Sequence, residues 1–289
     1  MDPLVTALLD LSGELPEFPT PMLIGGGFGL YLKQRHMEEE QPPIETLIPG
    51  ELWPPARATQ DVDLLLPTEV IVSLEYMRSI RAALARLGYK PDVEFFQFSK
   101  QTPRGSVKID LLTCDVPAEH VEKVRLNPPR VRPGGNVQLH AYLTKEALAL
   151  SLSPFELTLR GQRSDGGSAE LVVHIPNPFT YLLMKLHALR DQMKDERKNL
   201  GAHHALDIYR IVSMLTREEY DLVRKLGTSY ADSEAVVAAS TIVRNEFKKL
   251  EGIGLLRLRK GAMEAGLQWS EVRSDDFVLV LGELFPWQS

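Results

Sequence analysis

The sequence predicts an α/β (α+β) fold: a mixed β-sheet with flanking helices, then an α-helical C-terminal domain. Three observations carry this. Short apolar runs of strand texture, Met22-Leu23-Ile24, Val62 with Leu64–Leu66, and Val107–Thr113, alternate with helical periodicities in the first half. Glycine and proline clusters punctuate them. From Phe179 onward the texture changes to long amphipathic stretches separated by short polar breaks. The change falls near Pro176, which divides the chain into domains 1–176 and 177–289.

In order, the first apolar stripe (Leu4, Val5, Leu8, Leu9, Leu11) has helical spacing and stops at Gly13 and Pro16. Met22–Ile24 reads as a strand running into Gly25-Gly26-Gly27-Phe28-Gly29, with a helix after the glycines. Residues 38–58, acidic and proline-rich, read as a long loop. Val62–Leu66 forms a buried strand around Asp61 and Asp63, and 69–87 a helix stopped by Gly88. Val93–Phe98 and Val107–Thr113 are strand candidates, 117–135 reads as irregular, and 137–143, 155–160 and 170–175 as further strands. Helices are expected over 179–198, 202–215 and 233–250, with a helical, hydrophobic tail over 252–289.

With 289 residues, 44% hydrophobic and 25% charged, the chain fits one or two ordinary globular domains and not a collagen-like, disordered or coiled-coil protein. A formal charge of -6 gives no general attraction to polyanions, so any such contact requires a local patch. The single cysteine, Cys114, excludes an internal disulfide and a cysteine zinc cluster, as expected in a reducing cytosol. The acidic N-terminus does not read as a signal peptide, and no apolar run approaches the roughly 18 residues of a membrane span. The expected location is cytoplasmic.

The densest chemical signal is Arg57-Ala58-Thr59-Gln60-Asp61-Val62-Asp63-Leu64. In a strand, residues two apart point the same way, so Asp61 and Asp63 project together. Neighbouring carboxylates repel unless a cation lies between them, and oxygen-only ligands suit Mg²⁺ or Mn²⁺. Asp110 sits amid apolar residues in Val107–Leu112; if the two strands pair, three carboxylates converge as a two-metal phosphoryl or nucleotidyl transfer site requires. The alternative is an Asp-x-Asp turn or helix cap. Gly25–Gly29 reads either as a phosphate cradle at a helix N-terminus or as tight packing. It lacks the Lys-Ser/Thr of a P-loop and the third glycine of a dinucleotide fingerprint.

Glycines at a strand–helix turn, Asp-x-Asp on the next strand and a third aspartate further on resemble the nucleotidyltransferase superfamily, whose mixed sheet the first domain is then expected to share. Arg-x-Thr-x-Asp-x-Asp, with Lys185-Leu186-His187-Ala188-Leu189-Arg190 and Ala205-Leu206-Asp207-Ile208-Tyr209 in the helical half, is similar to the AbiE-type toxin nucleotidyltransferases, which include the MenT toxins. The likeness spans roughly residues 20–215.

The resemblance implies a metal-dependent enzyme moving a nucleoside monophosphate from an NTP to an acceptor hydroxyl, such as a tRNA 3′ end, and acting as the toxin beside a cognate antitoxin. It assigns Mg²⁺ or Mn²⁺ to Asp61, Asp63 and Asp110. The nucleotide would be held by Gly25, Gly26, Gly27, Arg57, Thr59 and Lys185, with Lys185 and Asp207 lining an active cleft between the domains. Two departures stand out: Phe28 replaces the usual hydroxyl residue after the glycines, and His203-His204 replaces Lys-Asp ahead of Asp207. A transferase for a cationic small molecule such as an aminoglycoside, or a catalytically silent binding module, are the other readings. Arg190–Lys198 reads as a solvated helix face or a short basic rim for RNA, His203-His204 as surface or supporting residues, and Cys114 as packing.

Overall fold

The computed structural model describes residues 2–15, 21–40, 42–56, 59–92, 94–103, 105–248 and 252–286. It has a mixed parallel and antiparallel sheet with flanking helices and a helical C-terminal region. The chain forms two compact units: Met1–Lys33, Ala58–Lys145 and Leu150–Pro176 make one, and Gln34–Arg57, Glu146–Ala149 and Asn177–Ser289 the other.

The first unit holds the sheet. Helix α1 (Pro3–Glu14) starts from Asp2, whose carboxylate accepts the Leu4 N–H at 2.8 Å. Strand β1 (Met22–Ile24) leads into α2 (Gly26–Glu39), followed by β2 (Asp61–Leu66). The helix expected over 69–87 is two, α3 (Thr68–Ile71) and α4 (Leu74–Arg86). Ser73 between them is extended, and its hydroxyl caps the Tyr76 N–H at 3.3 Å.

Then come β3 (Lys90–Pro91), β4 (Gln97–Thr102) and β5 (Gly105–Thr113). Of the strand expected at Val93–Phe98, Val93 lies outside the described residues and β4 begins at Gln97, because Glu94 and Phe95 are left-handed (φ 67° and 64°), a conformation no strand accommodates. The stretch 117–135, expected to be irregular, holds a 3₁₀ turn (Ala118–Lys123) and the hairpin of β6 (Val124–Asn127) and β7 (Arg130–Pro133). Its prolines lie at the hairpin turn and a strand end, where no ladder donor is lost. β8 (Ala141–Leu143), β9 (Phe155–Gln162) and β10 (Ser168–Ile175) complete the sheet.

The strand order is β6-β7-β8-β5-β2-β1-β10-β9. Strand β5 also pairs with β4 along Gly105–Asp110, while β8 joins it further on, at Leu112 and Thr113. Alternate residues are buried along the ladder: Val62 and Leu64, Ile109 and Leu111, Val131, Ala141 and Leu143. Helix α1 packs on β5, β9 and β10, burying Leu8, Leu9 and Leu11.

The second unit is built from α5 (Pro178–Gln192), α6 (Ala202–Ser213), α7 (Arg217–Ser229), α8 (Glu234–Glu246), α9 (Ile253–Glu264) and α10 (Ser274–Leu284). Asn177 caps α5 through the Thr180 N–H at 3.0 Å, with Pro178 in the first turn. Helices α6 and α9 approach so closely at Gly261 that a Cβ there would lie 2.6 Å from the Ala202 carbonyl oxygen. The tail read as hydrophobic, 277–285, buries Phe277, Leu281, Leu284 and Phe285.

The stretch 38–58, expected to be a loop, carries the end of α2 and a 3₁₀ turn at Gly50–Leu52. It is tied to the end of α6 by Leu47 N–H to the Leu215 carbonyl (2.9 Å) and Ile48 N–H to that of Ser213 (3.2 Å). Among the described residues no helix is long and apolar enough to cross a membrane.

Candidate active site

Strands β1 and β2 run antiparallel, with Leu23 opposite Leu65 and Ile24 opposite Leu64. The next step places Gly25 against Asp63, and the Gly25 N–H donates to the Asp63 carbonyl at 2.8 Å. A Cβ on Gly25 would meet Leu65 Cδ1 at 2.8 Å. Gly26, with φ +62°, opens α2; a Cβ there would lie 1.5 Å from Asp63 Oδ2. Gly26 is therefore required by the approach of the aspartate strand, Gly25 leaves room for the Leu65 side chain, and the Asp63 carboxylate lies directly against the start of the helix. Gly27 follows, half-buried, in the first turn of α2. Phe28 is fully buried and stacks on Tyr31 at 5.9 Å, so the position that departs from the family pattern is a core position here.

Strands β2 and β5 are parallel, pairing Asp61 with Lys108 and Asp63 with Asp110. Paired residues on neighbouring strands share a face, so Asp61, Asp63, Lys108 and Asp110 project to the side opposite Val62 and Ile109. Strand β4 adds Gln97 beside Asp110 and Ser99 beside Lys108. Burial pushes the Asp110 carboxyl above the usual carboxylate range; a hydrogen bond from Gln97 opposes this, Asp61 adds to it, and Lys108 opposes it. Asp110 Oδ1 is buried and has no hydrogen-bond partner among the described residues. Among the described residues no three His, Cys, Asp or Glu side chains form a ready metal-holding group. The expected convergence of three carboxylates is thus a shared face, without a formed three-ligand group among the described residues.

Thr59 lies at the entry to β2, where its hydroxyl accepts the Asp61 N–H at 3.4 Å. Arg57 lies outside the described residues.

Lys185 and Asp207 belong to the helical unit. Lys185 Nζ donates to Asp207 Oδ2 at 2.7 Å, and Arg210 Nη1 lies 3.3 Å from Oδ1. Asp207 is fully buried, and the Lys185 side chain is only 9% exposed. Arg210 Nη2 also donates to the Pro55 carbonyl. The His203 and His204 rings are 4.0 Å apart on α6, half-buried. In the stretch 190–198, Arg190 pairs with Asp191 and Arg197 with Asp195, so these charges are largely balanced within the segment. Cys114 is half-buried, its thiol 3.9 Å from the Thr68 hydroxyl and pushed up by burial.

Lys108 and Gln97 are the site residues that sequence reasoning missed. For Lys108 the signal was present: it precedes Asp110 by two residues in one strand, which alone puts both on one face. Gln97 needed the β4–β5 register, which no local pattern supplies. Comparison with protein-family models, curated proteins and solved structures finds no match to the chain.

Proposed function

We propose that the chain is a nucleotidyltransferase that moves a nucleoside monophosphate from an NTP to an acceptor hydroxyl. The observation that carries the proposal is the placing of Asp63 beside Asp110 on one face of the sheet and against Gly26 at the start of α2. A glycine turn at a helix start and a set of carboxylates are thereby brought within one corner of one unit.

The donor set suits a hard divalent cation. Its oxygens come from Asp61, Asp63 and Asp110, and Asp110 offers a buried oxygen with no partner among the described residues. Bound there, Mg²⁺ or Mn²⁺ would neutralise triphosphate charge and acidify the attacking hydroxyl. The backbone N–H groups of Gly26 and Gly27, at the positive end of α2, would hold phosphate oxygens. Arg57 and Thr59, just ahead of the aspartates, would contact the same phosphates. The acceptor oxygen bonds to the α-phosphorus as the bond to pyrophosphate breaks. One carboxylate of the set would take the hydroxyl proton.

We give Lys185 and Asp207 no step in transfer, because each occupies the other in a buried ion pair. By the family resemblance, the acceptor would be a tRNA 3′ end and the protein partner an antitoxin. The test supplies purified protein with Mg²⁺, each α-³²P-labelled NTP in turn and total tRNA, with Asp61→Ala/Asp63→Ala as control. Label on RNA with the wild type alone supports the reading. No transfer and no NTP binding by calorimetry would overturn it.

A further inference from the structure

Strand β9 is an edge of the sheet: it pairs with β10 along Phe155–Gln162 and, among the described residues, with no other strand. The hairpin fixes which of its backbone groups face outward. The Arg163 N–H donates to the Gly167 carbonyl at 2.9 Å, which closes the ladder with a hydrogen-bonded pair. Bonded and non-bonded pairs alternate along an antiparallel ladder. Gly161, Leu159 and Leu157 therefore pair their N–H and C=O groups with β10, whereas Gln162, Arg160, Thr158 and Glu156 direct theirs away from it. The Gln162 carbonyl is accordingly free to accept the Thr6 hydroxyl at 3.2 Å. The outward groups of Glu156, Thr158 and Arg160 have no hydrogen-bond partner among the described residues.

We infer that this edge pairs with the same edge of a second copy of the chain, antiparallel about Thr158, so that two sheets join as one. The inference is independent of the nucleotidyltransferase reading, since β1 and β10 lie between β9 and the aspartate strands.

Length and charge select this partner. An open edge is a template for another strand, and natural edges are kept short, bent by bulges or interrupted by proline. At the other end of the order β6 has only four residues. Strand β9 has eight, contains no proline and pairs with β10 without a bulge. Its outward positions are self-complementary. Antiparallel pairing about Thr158 sets Glu156 against Arg160 of the second copy, once on each side of the axis, and brings about six N–H···O bonds. An axis at Glu156 or at Arg160 would instead oppose like charges, which is destabilising. Both side chains are open, Glu156 68% and Arg160 77% exposed, while Leu157 and Leu159 are buried on the other face. Within the chain Arg160 lies 3.2 Å from Glu170 opposite it on β10, and Glu156 3.2 Å from His174. Joining the edges would extend these contacts into one row across the seam: Glu170, Arg160, then Glu156 and His174 of the second copy. Between the two such rows, Thr158 and the exposed Val172 opposite it would meet their own copies, a Thr–Thr pair at the centre.

The test is sedimentation velocity of the full-length chain over a range of protein concentrations, each variant being checked by circular dichroism. The wild type is expected to pass from monomer to dimer as concentration rises. Thr158→Pro removes an outward N–H at the axis and no bond to β10, so the strand is kept and dimerisation is lost. Glu156→Arg opposes arginines on both sides of the axis and should weaken dimerisation about tenfold or more, whereas Glu156→Arg/Arg160→Glu should restore it. In a Cys114→Ser background, Thr158→Cys should cross-link two copies under mild oxidation, because opposed Cα atoms about 5.5 Å apart suit a disulfide; Glu156→Cys should not. Should Thr158→Pro fail to fold, the charge variants and the cross-link decide. A wild type that stays monomeric at every concentration would overturn the inference and leave the edge to a strand of another protein. A dimer that Thr158→Pro and Glu156→Arg both leave intact would overturn it too, by placing the contact on another surface.

Discussion

The two units treat buried charge in opposite ways. In the helical unit Asp207 is enclosed with Lys185 on one oxygen and Arg210 near the other. In the sheet unit Asp110 stands among Asp61, Asp63 and Lys108, with one carboxylate oxygen buried and unpaired among the described residues. The first arrangement is complete within the protein, as groups that maintain a fold generally are. The second holds an unfavourable group at the sheet surface, as sites that bind ligands generally do. The contrast separates residues that the family resemblance treats alike: Lys185 and Asp207 have the environment of a fold-maintaining pair, Asp110 that of a working group.

The largest expected effect tests the helical side. Asp207→Ala removes the carboxylate that bridges Lys185 and Arg210 and leaves both buried cations without it. Breaking a buried pair in this way costs about 3–5 kcal/mol. Urea denaturation of the full chain should show a loss of that order. A loss below about 1 kcal/mol, as at exposed pairs, would mean that the pair is not structural and that Lys185 is available for phosphate.

A smaller effect is expected at the junction of the glycine turn with the aspartate strand. Gly26→Ala places a methyl where Asp63 Oδ2 lies and asks alanine to adopt φ +62°. The left-handed backbone alone costs about 1–2 kcal/mol, and Asp63 must move as well. The expected outcome is a lowered midpoint of thermal unfolding together with lost NTP binding by calorimetry. Retained NTP binding would show that the turn is a packing device and not a phosphate cradle.

How much of this was legible depends on the range of the interactions involved. The shared face of Asp61 and Asp63 follows from strand periodicity, and the helical texture beyond Pro176 from amphipathic spacing, so both could be read locally. Helix α7 was equally readable: Thr216 and Glu219 form a capping box whose Ser/Thr-x-x-Glu spacing is in the sequence. The Lys185–Asp207 pair joins positions 22 residues apart on two helices. Sequence placed both residues but not their contact, which turns two apparent site residues into one buried unit.

The smallest effect has the opposite sign and tests the sheet side. Asp110 has its pKa raised in the folded chain, first by burial. Folding therefore favours its protonated form. That stabilising contribution is fully present below the unfolded carboxylate pKa, about 3.9, and is lost as pH rises through the higher folded value. At neutral pH the ionised group works against the fold. Asp110→Asn should accordingly raise the thermal midpoint at neutral pH, and its advantage over the wild type should shrink as the pH is lowered into the acid range. A cation held at this corner would offset the same penalty, so Mg²⁺ should raise the wild-type midpoint and leave the variant nearly unchanged. Equal midpoints for the two proteins at every pH would remove the contrast, placing Asp110 with Asp207 as a group the fold already satisfies.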